Sequence, residues 1–146
     1  INKKELSDQM SELEAKLILD TLKLIENKSA NFIKQNESMA TYAKKIEKIE
    51  TKINWNDDAE KIIAKINAFS PSPGSWFNLN GNRIKIIKAK KVMSKGIPGT
   101  ILDDNLTIAC SKNAIRIIEL KKESKQKMTA DEFLRGNKIK TGQSLN

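Results

Sequence analysis

The stretch WFNLNGNRIKIIKAKKV, residues 76–92, decides the fold predicted for this chain. Its centre is Asn80-Gly81, the dipeptide that suits a two-residue hairpin turn because both central positions take positive φ. On either side, residues 76–79 and 83–92 are rich in aromatic and β-branched side chains, which are typical of strands. The stretch therefore predicts an antiparallel β-hairpin with a long second strand.

Downstream, three further short apolar runs predict strands at residues 99–102, 106–110 and 114–120. Polar turns at 103–105 and 111–113 divide them. A capping box, Thr129 to Glu132, opens a last helical turn that Gly136 is placed to end. Residues 137–146 are predicted to be a polar tail. Five short strands suit a small barrel.

Upstream, Asn56 is placed to cap a short helix that turns Ile62, Ile66 and Phe69 inward, and the prolines at 71 and 73 end it. A helix from Asn2 onward is predicted by apolar residues at three- and four-residue steps between Leu6 and Ile25. Residues 27–45 lack either period and predict a connector. The expected class is α+β: an N-terminal helix and linker, then a five-stranded barrel like the OB-fold, which commonly binds oligonucleotides.

Composition excludes several kinds of catalytic and metal site. The chain has no histidine and one cysteine, so imidazole chemistry, an internal disulfide and a thiolate cluster are all excluded. Cys110 follows apolar residues and is interpreted as a small buried hydrophobe. Asp103 and Asp104 are interpreted as turn formers, and Trp55 and Trp76 as core residues rather than base-stacking platforms. We predict no catalytic residue, no cofactor-binding residue and no metal site.

Positive charge is concentrated in the second part of the chain. Residues 1–43 contain six lysines and seven acidic residues, whereas residues 44–146 contain 21 basic and 11 acidic residues, a net charge of +10. Such a field attracts polyanions, so nucleic acid is the first partner to consider and an anionic membrane surface the second. The alternative is that the lysines only confer solubility.

Five segments, in order, give the chain a resemblance to the C-terminal half of methionyl-tRNA formyltransferase: TYAKKI (41–46), INW (53–55), PSPGSW (71–76), PGTIL (98–102) and MTADEFLRG (128–136). The resemblance implies that residues 1–40 are the tail end of a Rossmann-like formyltransferase domain, a helix plus connector. It implies that residues 41–54 are the inter-domain linker. Residues 55–146 would then be the C-terminal OB-like, tRNA-binding barrel.

The family's activity follows as an implication of the resemblance. The full-length enzyme formylates the amino group of methionyl-initiator tRNA, with 10-formyltetrahydrofolate as co-substrate, in bacterial cytoplasm or in organelles. Its catalytic residues belong to the N-terminal domain, so this chain alone is expected to be inactive. The expected partners are initiator methionyl-tRNA and that catalytic domain. We expect no membrane partner, and we expect a monomer.

The same resemblance implies a basic tRNA-binding surface that makes mainly phosphate contacts. The candidate residues are Lys44, Lys45, Lys48 and Lys52 of the linker, and Arg83, Lys85, Lys88, Lys90 and Lys91 of the barrel. Strand alternation places Arg83 and Lys85 on one face, and it places Lys88 and Lys90 on the other face unless a bulge intervenes. Two alternatives remain: a structural C-terminal domain of a sugar-nucleotide formyltransferase or formyltetrahydrofolate hydrolase, and a scaffold module without a ligand.

Overall fold

The computed structural model describes residues 1–145, which form two compact units. Residues 4–46 make up one unit, and residues from 47 onward, with 1–3, make up the other. Helix α1 (Lys3–Glu26) confirms the predicted N-terminal helix, and none of its residues is buried. Residues 27–46 are irregular apart from one 3-10 turn, Glu37–Met39. Within residues 1–145, no helix is both long enough and apolar enough to cross a membrane.

The larger unit is built on an antiparallel sheet of five strands: β1 (Ser75–Leu79), β2 (Asn82–Val92), β3 (Thr107–Ala109), β4 (Ala114–Lys122) and β5 (Lys127–Thr129). The strand order is β1-β2-β4-β3, and β5 pairs with β4 beyond the end of β3. Helices α2 (Ala59–Phe69) and α3 (Ala130–Arg135) complete the unit. The α+β class and a sheet of five strands are confirmed, and within the described residues the sheet stays open rather than closing into a barrel.

The hairpin predicted at Asn80-Gly81 is present. Asn80 has φ of 49° and Gly81 has φ of 79°, the positive values that such a turn requires. The register runs from Leu79 opposite Asn82 to Ser75 opposite Ile86. The capping box at Thr129 is also confirmed, since its hydroxyl accepts from the Glu132 N–H and the Glu132 carboxylate accepts from the Thr129 N–H.

Two segments differ from their predicted form. Residues 99–102 make only isolated bridges, Thr100 to Ser144 and Ile101 to Ile108, and the fifth strand is instead β5. In the predicted polar tail, the Leu145 N–H donates to the Gly99 carbonyl and Ile139 packs on the core, while Asn146 lies outside the described residues. The tail prediction was wrong because two scattered apolar residues give no period, whereas backbone pairing holds the segment in place.

One hydrophobic core lies between the sheet and α2. Ile62 and Ile66 of α2 are 1% and 0% exposed, and they join the buried residues of the strands. The rings of Trp55 and Phe77 meet edge to face, with their centroids 5.7 Å apart. Trp55 is therefore a core residue, as the sequence predicted.

Candidate nucleic-acid interface on the sheet

A β-bulge in β2 brings the cations of this strand onto one face. Ile86 lies opposite Leu120, Lys88 opposite Glu119 and Ala89 opposite Ile117, so Ile87 of β2 and Ile118 of β4 each interrupt the pairing. Beyond this irregularity Ala89 packs on the core and Lys91 pairs with Glu60 of α2, so Lys88 and Lys90 alternate onto the face that carries Arg83 and Lys85. The bulge that the sequence analysis left open is thus present.

Buried Ser70, at the end of α2, holds the bulge in place. Its hydroxyl donates to the Ile87 carbonyl at 2.8 Å, which gives the extra residue a hydrogen-bond partner. Ser70 had no assigned role in the sequence. Only the packing of α2 beneath β2 reveals one.

Strands β4 and β5 extend this face with two more lysines. Lys121 lies directly opposite Lys85, and Lys127 lies directly opposite Lys121, so three lysines occupy facing positions on adjacent strands, whose backbones lie about 4.8 Å apart. Like charges directly opposite each other destabilise a sheet. Lys127 forms an ion pair with Glu119, with Nζ 3.1 Å from Oε2, whereas Lys85 and Lys121 form no ion pair within residues 1–145. We call the following set the basic face: Arg83, Lys85, Lys88, Lys90, Lys121 and Lys127.

Trp76 anchors the linker to the basic face. Only 8% exposed, it has Lys52 Nζ 5.8 Å and the Arg83 guanidinium carbon 4.3 Å from its ring centroid. Its indole N–H donates to the Lys48 carbonyl at 3.1 Å. Cation–π contacts and this hydrogen bond therefore fix the linker cations beside those of the sheet. The ring is therefore covered, but it lies on the face of Lys85 and Arg83 and outside the hydrophobic core cluster, so its interpretation as a core residue was wrong.

The predicted tRNA-binding cations of β2 differ in how freely their side chains could contact a ligand. Arg83 is half-buried on Trp76, and its Nε has no hydrogen-bond partner in the described part of the chain. The stem of Lys85 crosses Gly74, where an added Cβ would lie 3.0 Å from its Cδ. Lys91 pairs with Glu60 of α2 at 2.8 Å, and this hydrogen bond lowers the pKa of the Glu60 carboxyl. Lys88 and Lys90 are exposed.

The linker candidates divide between the two units. Lys48 opens a 3-10 turn, Lys48–Thr51, whose first residues are held by a hydrogen bond from the Glu47 N–H to the Glu50 carboxylate at 2.6 Å. Lys44 and Lys45 belong to the other unit, where both are exposed in its irregular segment.

From the sequence, the lysines at 121–122 and 125–127 could either extend the tRNA-binding surface or belong to a solvated loop, and the loop is the preferred interpretation. A three-residue strand such as β5 is too short to show a period of two, and the polar residues 123–126 hide the turn that precedes it. The Lys-rich pattern on both sides of that turn was the available signal. Only the register of β4 with β5 shows that the two lysines share a face with Lys85.

Asp103 organises the turn before β3, as the turn-former interpretation requires. Its carboxylate accepts from the N–H groups of Asn105 and Thr107, from the Thr107 hydroxyl and from Arg116 at 2.9 Å. Burial acts to raise the pKa of Asp103, but the hydrogen bonds from Thr107 and Asn105 and the charge of Arg116 bring the pKa below its ordinary 3.8.

We therefore expect a pH-dependent loss of stability at this turn. Because the pKa of Asp103 is lower in the folded state than in the unfolded state, the ionised carboxylate adds to the free energy of unfolding above pH 3.8. This contribution is lost as the pH falls through the folded-state pKa. Asp103→Asn should reduce the free energy of unfolding by about 1 kcal/mol at neutral pH. Urea unfolding at several pH values should show the difference from the unsubstituted chain shrinking below pH 4, and a constant difference would contradict the role of the charge.

The remaining reactive groups form no evident catalytic centre. Cys110 is buried, and burial raises its pKa to about 11, so the thiolate is scarce at neutral pH. Its interpretation as a buried hydrophobe is confirmed. Among residues 1–145, no group of three or more Cys, Asp or Glu side chains is arranged to hold a metal ion.

The open five-stranded sheet with its packed helices is the architecture of a small α+β domain. Residues 45–138 match the formyl transferase C-terminal domain family, and the chain belongs to that family. Over 142 residues it is 41% identical to methionyl-tRNA formyltransferase of Bradyrhizobium diazoefficiens, and over 141 residues it is 38% identical to that of Paramagnetospirillum magneticum. These alignments cover 94% and 96% of this chain and 46% of each relative, so the chain spans about half the length of the curated relatives it matches.

Solved structures share the fold at lower identity. A variant of HypX from Aquifex aeolicus superposes with a TM-score of 0.74 at 21% identity, over 91% of this chain and 26% of HypX. HypX in complex with tetrahydrofolic acid superposes with a TM-score of 0.68 at 21% identity, over 88% of this chain and 26% of HypX. At this identity the likeness concerns the fold alone.

Proposed function

We propose that this chain is the tRNA-binding, C-terminal part of a methionyl-tRNA formyltransferase. The whole enzyme would transfer a formyl group from 10-formyltetrahydrofolate to methionyl-initiator tRNA during translation initiation, in bacterial cytoplasm or in an organelle. Identity of 38–41% to curated enzymes of that name, over nearly all of the chain, supports the assignment. The chemistry would belong to a separate catalytic domain, and the chain alone would hold RNA without reacting.

The proposal assigns a different role to each of three segments of the chain. Residues 1–40 would belong to the end of the catalytic domain, residues 41–54 would be the linker, and residues 55–146 would be the tRNA-binding domain. The exposed apolar side chains of α1, such as Leu13 at 58% and Leu17 at 56%, support a role for this helix in packing on that catalytic domain.

The observation that carries the proposal is the row Lys85, Lys121 and Lys127 on the basic face. Lysines directly opposite each other on neighbouring strands repel and so destabilise the sheet unless an anion binds over them. RNA phosphates are such anions. Lysine contacts phosphate as a point charge, so this face would position an RNA backbone and would not read its bases. Selection of the initiator would then depend on other parts of the enzyme.

A salt titration tests this proposal directly. The chain should bind initiator tRNA and a duplex RNA of the same length, and contact with about five phosphates predicts a log–log salt slope near −4. Fluorescence anisotropy with end-labelled RNA measures both. Salt-sensitive binding to both RNAs is the expected result. Absence of binding at low salt would favour the structural role instead.

That second candidate function has one observation in its favour. The same fold forms part of HypX, which has been solved in complex with tetrahydrofolic acid. A structural C-terminal domain of another formyltetrahydrofolate-using enzyme, such as a sugar-nucleotide formyltransferase or a formyltetrahydrofolate hydrolase, would therefore keep the fold without binding tRNA. The net charge of +10 from residue 44 onward favours the first candidate.

A further inference from the structure

A cleft of about 670 Å³ opens in the larger unit, beside the β1–β2 turn. Part of its lining is apolar: Ile53, Trp55, Phe77 and Leu79, each at most 4% exposed, and the exposed Ile49. Volumes of 300–1,000 Å³ are usual for ligand sites. The cleft is therefore large enough for a flat ring, and its lining offers that ring apolar contact.

Three asparagines, Asn54, Asn78 and Asn80, also line the cleft. Asn78 makes no hydrogen bond within residues 1–145, and Asn54 and Asn80 use only their oxygens, as acceptors from Asn56 and Gln143. A primary amide offers both donors and acceptors, and this pair of groups matches the edge of a nucleobase. An anion alone would need only donors.

The charges of the lining favour an anionic ligand. Lys52 and Lys65 contribute two ammonium groups against one carboxylate, Glu50, and that carboxylate already accepts from the Glu47 N–H. Lys65 Nζ donates to the Lys52 carbonyl at 2.7 Å, so it is held at the cleft. One phosphate beside a base would therefore meet positive charge.

Lys52 connects the cleft with the basic face, because its ammonium lies 5.8 Å from the Trp76 ring, which also carries Arg83. We propose that the cleft binds a single unpaired nucleotide of an RNA whose backbone lies on the basic face. Bases splayed out of a helix are what proteins read in RNA, through their exposed edges. This inference rests on the proposed function and adds a base-reading site to a surface that otherwise contacts phosphates.

The test compares two RNA hairpins with the same stem, one flush and one with a single bulged adenosine. The whole 146-residue chain should bind the bulged RNA about 10-fold more tightly at the same salt concentration, by anisotropy. Asn78→Leu, which removes the amide at an exposed position, should remove this preference and leave binding of the flush hairpin unchanged. Lys85→Glu should reduce the affinity for both hairpins by the same factor.

The outcomes separate the two proposals. Equal binding of the two hairpins by the unsubstituted chain, or a preference that survives Asn78→Leu, overturns the nucleotide site and leaves the proposed function intact. Absence of binding to either hairpin overturns both. Since the flush hairpin reports on folding of each variant, a misfolded Asn78→Leu chain would be recognised, and Asn78→Ala would then replace it.

Discussion

Simultaneous Lys85→Glu and Lys121→Glu substitution should lower the affinity for initiator tRNA about 100-fold at low salt and reduce the salt slope by about two. The two residues lie directly opposite each other on adjacent strands, and neither forms an ion pair within the described residues. Each reversal replaces a phosphate contact with a repulsion. Anisotropy across a salt titration measures both the affinity and the slope.

A matched control separates the basic face from net charge. Lys112→Glu together with Lys138→Glu changes the charge of the chain by the same amount, at exposed positions outside the basic face. The control should retain affinity within about threefold, because neither lysine belongs to the basic face and salt screens exposed charges that do not contact the RNA. If the control loses as much affinity as the double variant, binding follows the overall field and the basic face is not an interface.

Phe77→Ala should reduce the free energy of unfolding by about 3–5 kcal/mol, the range typical of a fully buried phenylalanine. Phe77 is 1% exposed in β1 and lies edge to face with Trp55. Truncation leaves a cavity between the sheet and α2 that rigid neighbours cannot fill. Urea unfolding, followed by tryptophan fluorescence, measures the change.

Phe32→Ala is the matched control for this prediction. It makes the same chemical change at a side chain that is 81% exposed, so we expect a change within about 0.5 kcal/mol. A loss below about 1 kcal/mol for Phe77→Ala would contradict the packing described here. It would mean that the sheet and α2 close over the missing ring.

Local patterns were enough to predict the parts of the fold that depend on neighbouring residues. The Asn80-Gly81 turn and the Thr129 capping box were predicted correctly, because backbone preference and capping act over a few residues. Helix α2 was also predicted, but its N-cap is Asp58 and the expected cap, Asn56, was wrong. The burial of Cys110 followed from the apolar residues before it, and that of Trp55 from its place beside a helix start. The charge division between the two parts of the chain was also readable, since it needs only counting.

The site depended on contacts between distant residues. The bulge at Ile87 decides which face Lys88 and Lys90 occupy, and it is held by Ser70, 17 positions away in sequence. The pairing of β4 with β5 decides that Lys127 lies beside Lys121.

The sequence by itself therefore determined most of the helices and strands, the α+β class and the sign of the surface charge. Tertiary structure decided which cations share one face of the sheet. It also formed the cleft beside the β1–β2 turn. The physical reason is that strand register and helix packing are set by the whole core, and a shift of one residue moves every side chain to the opposite face.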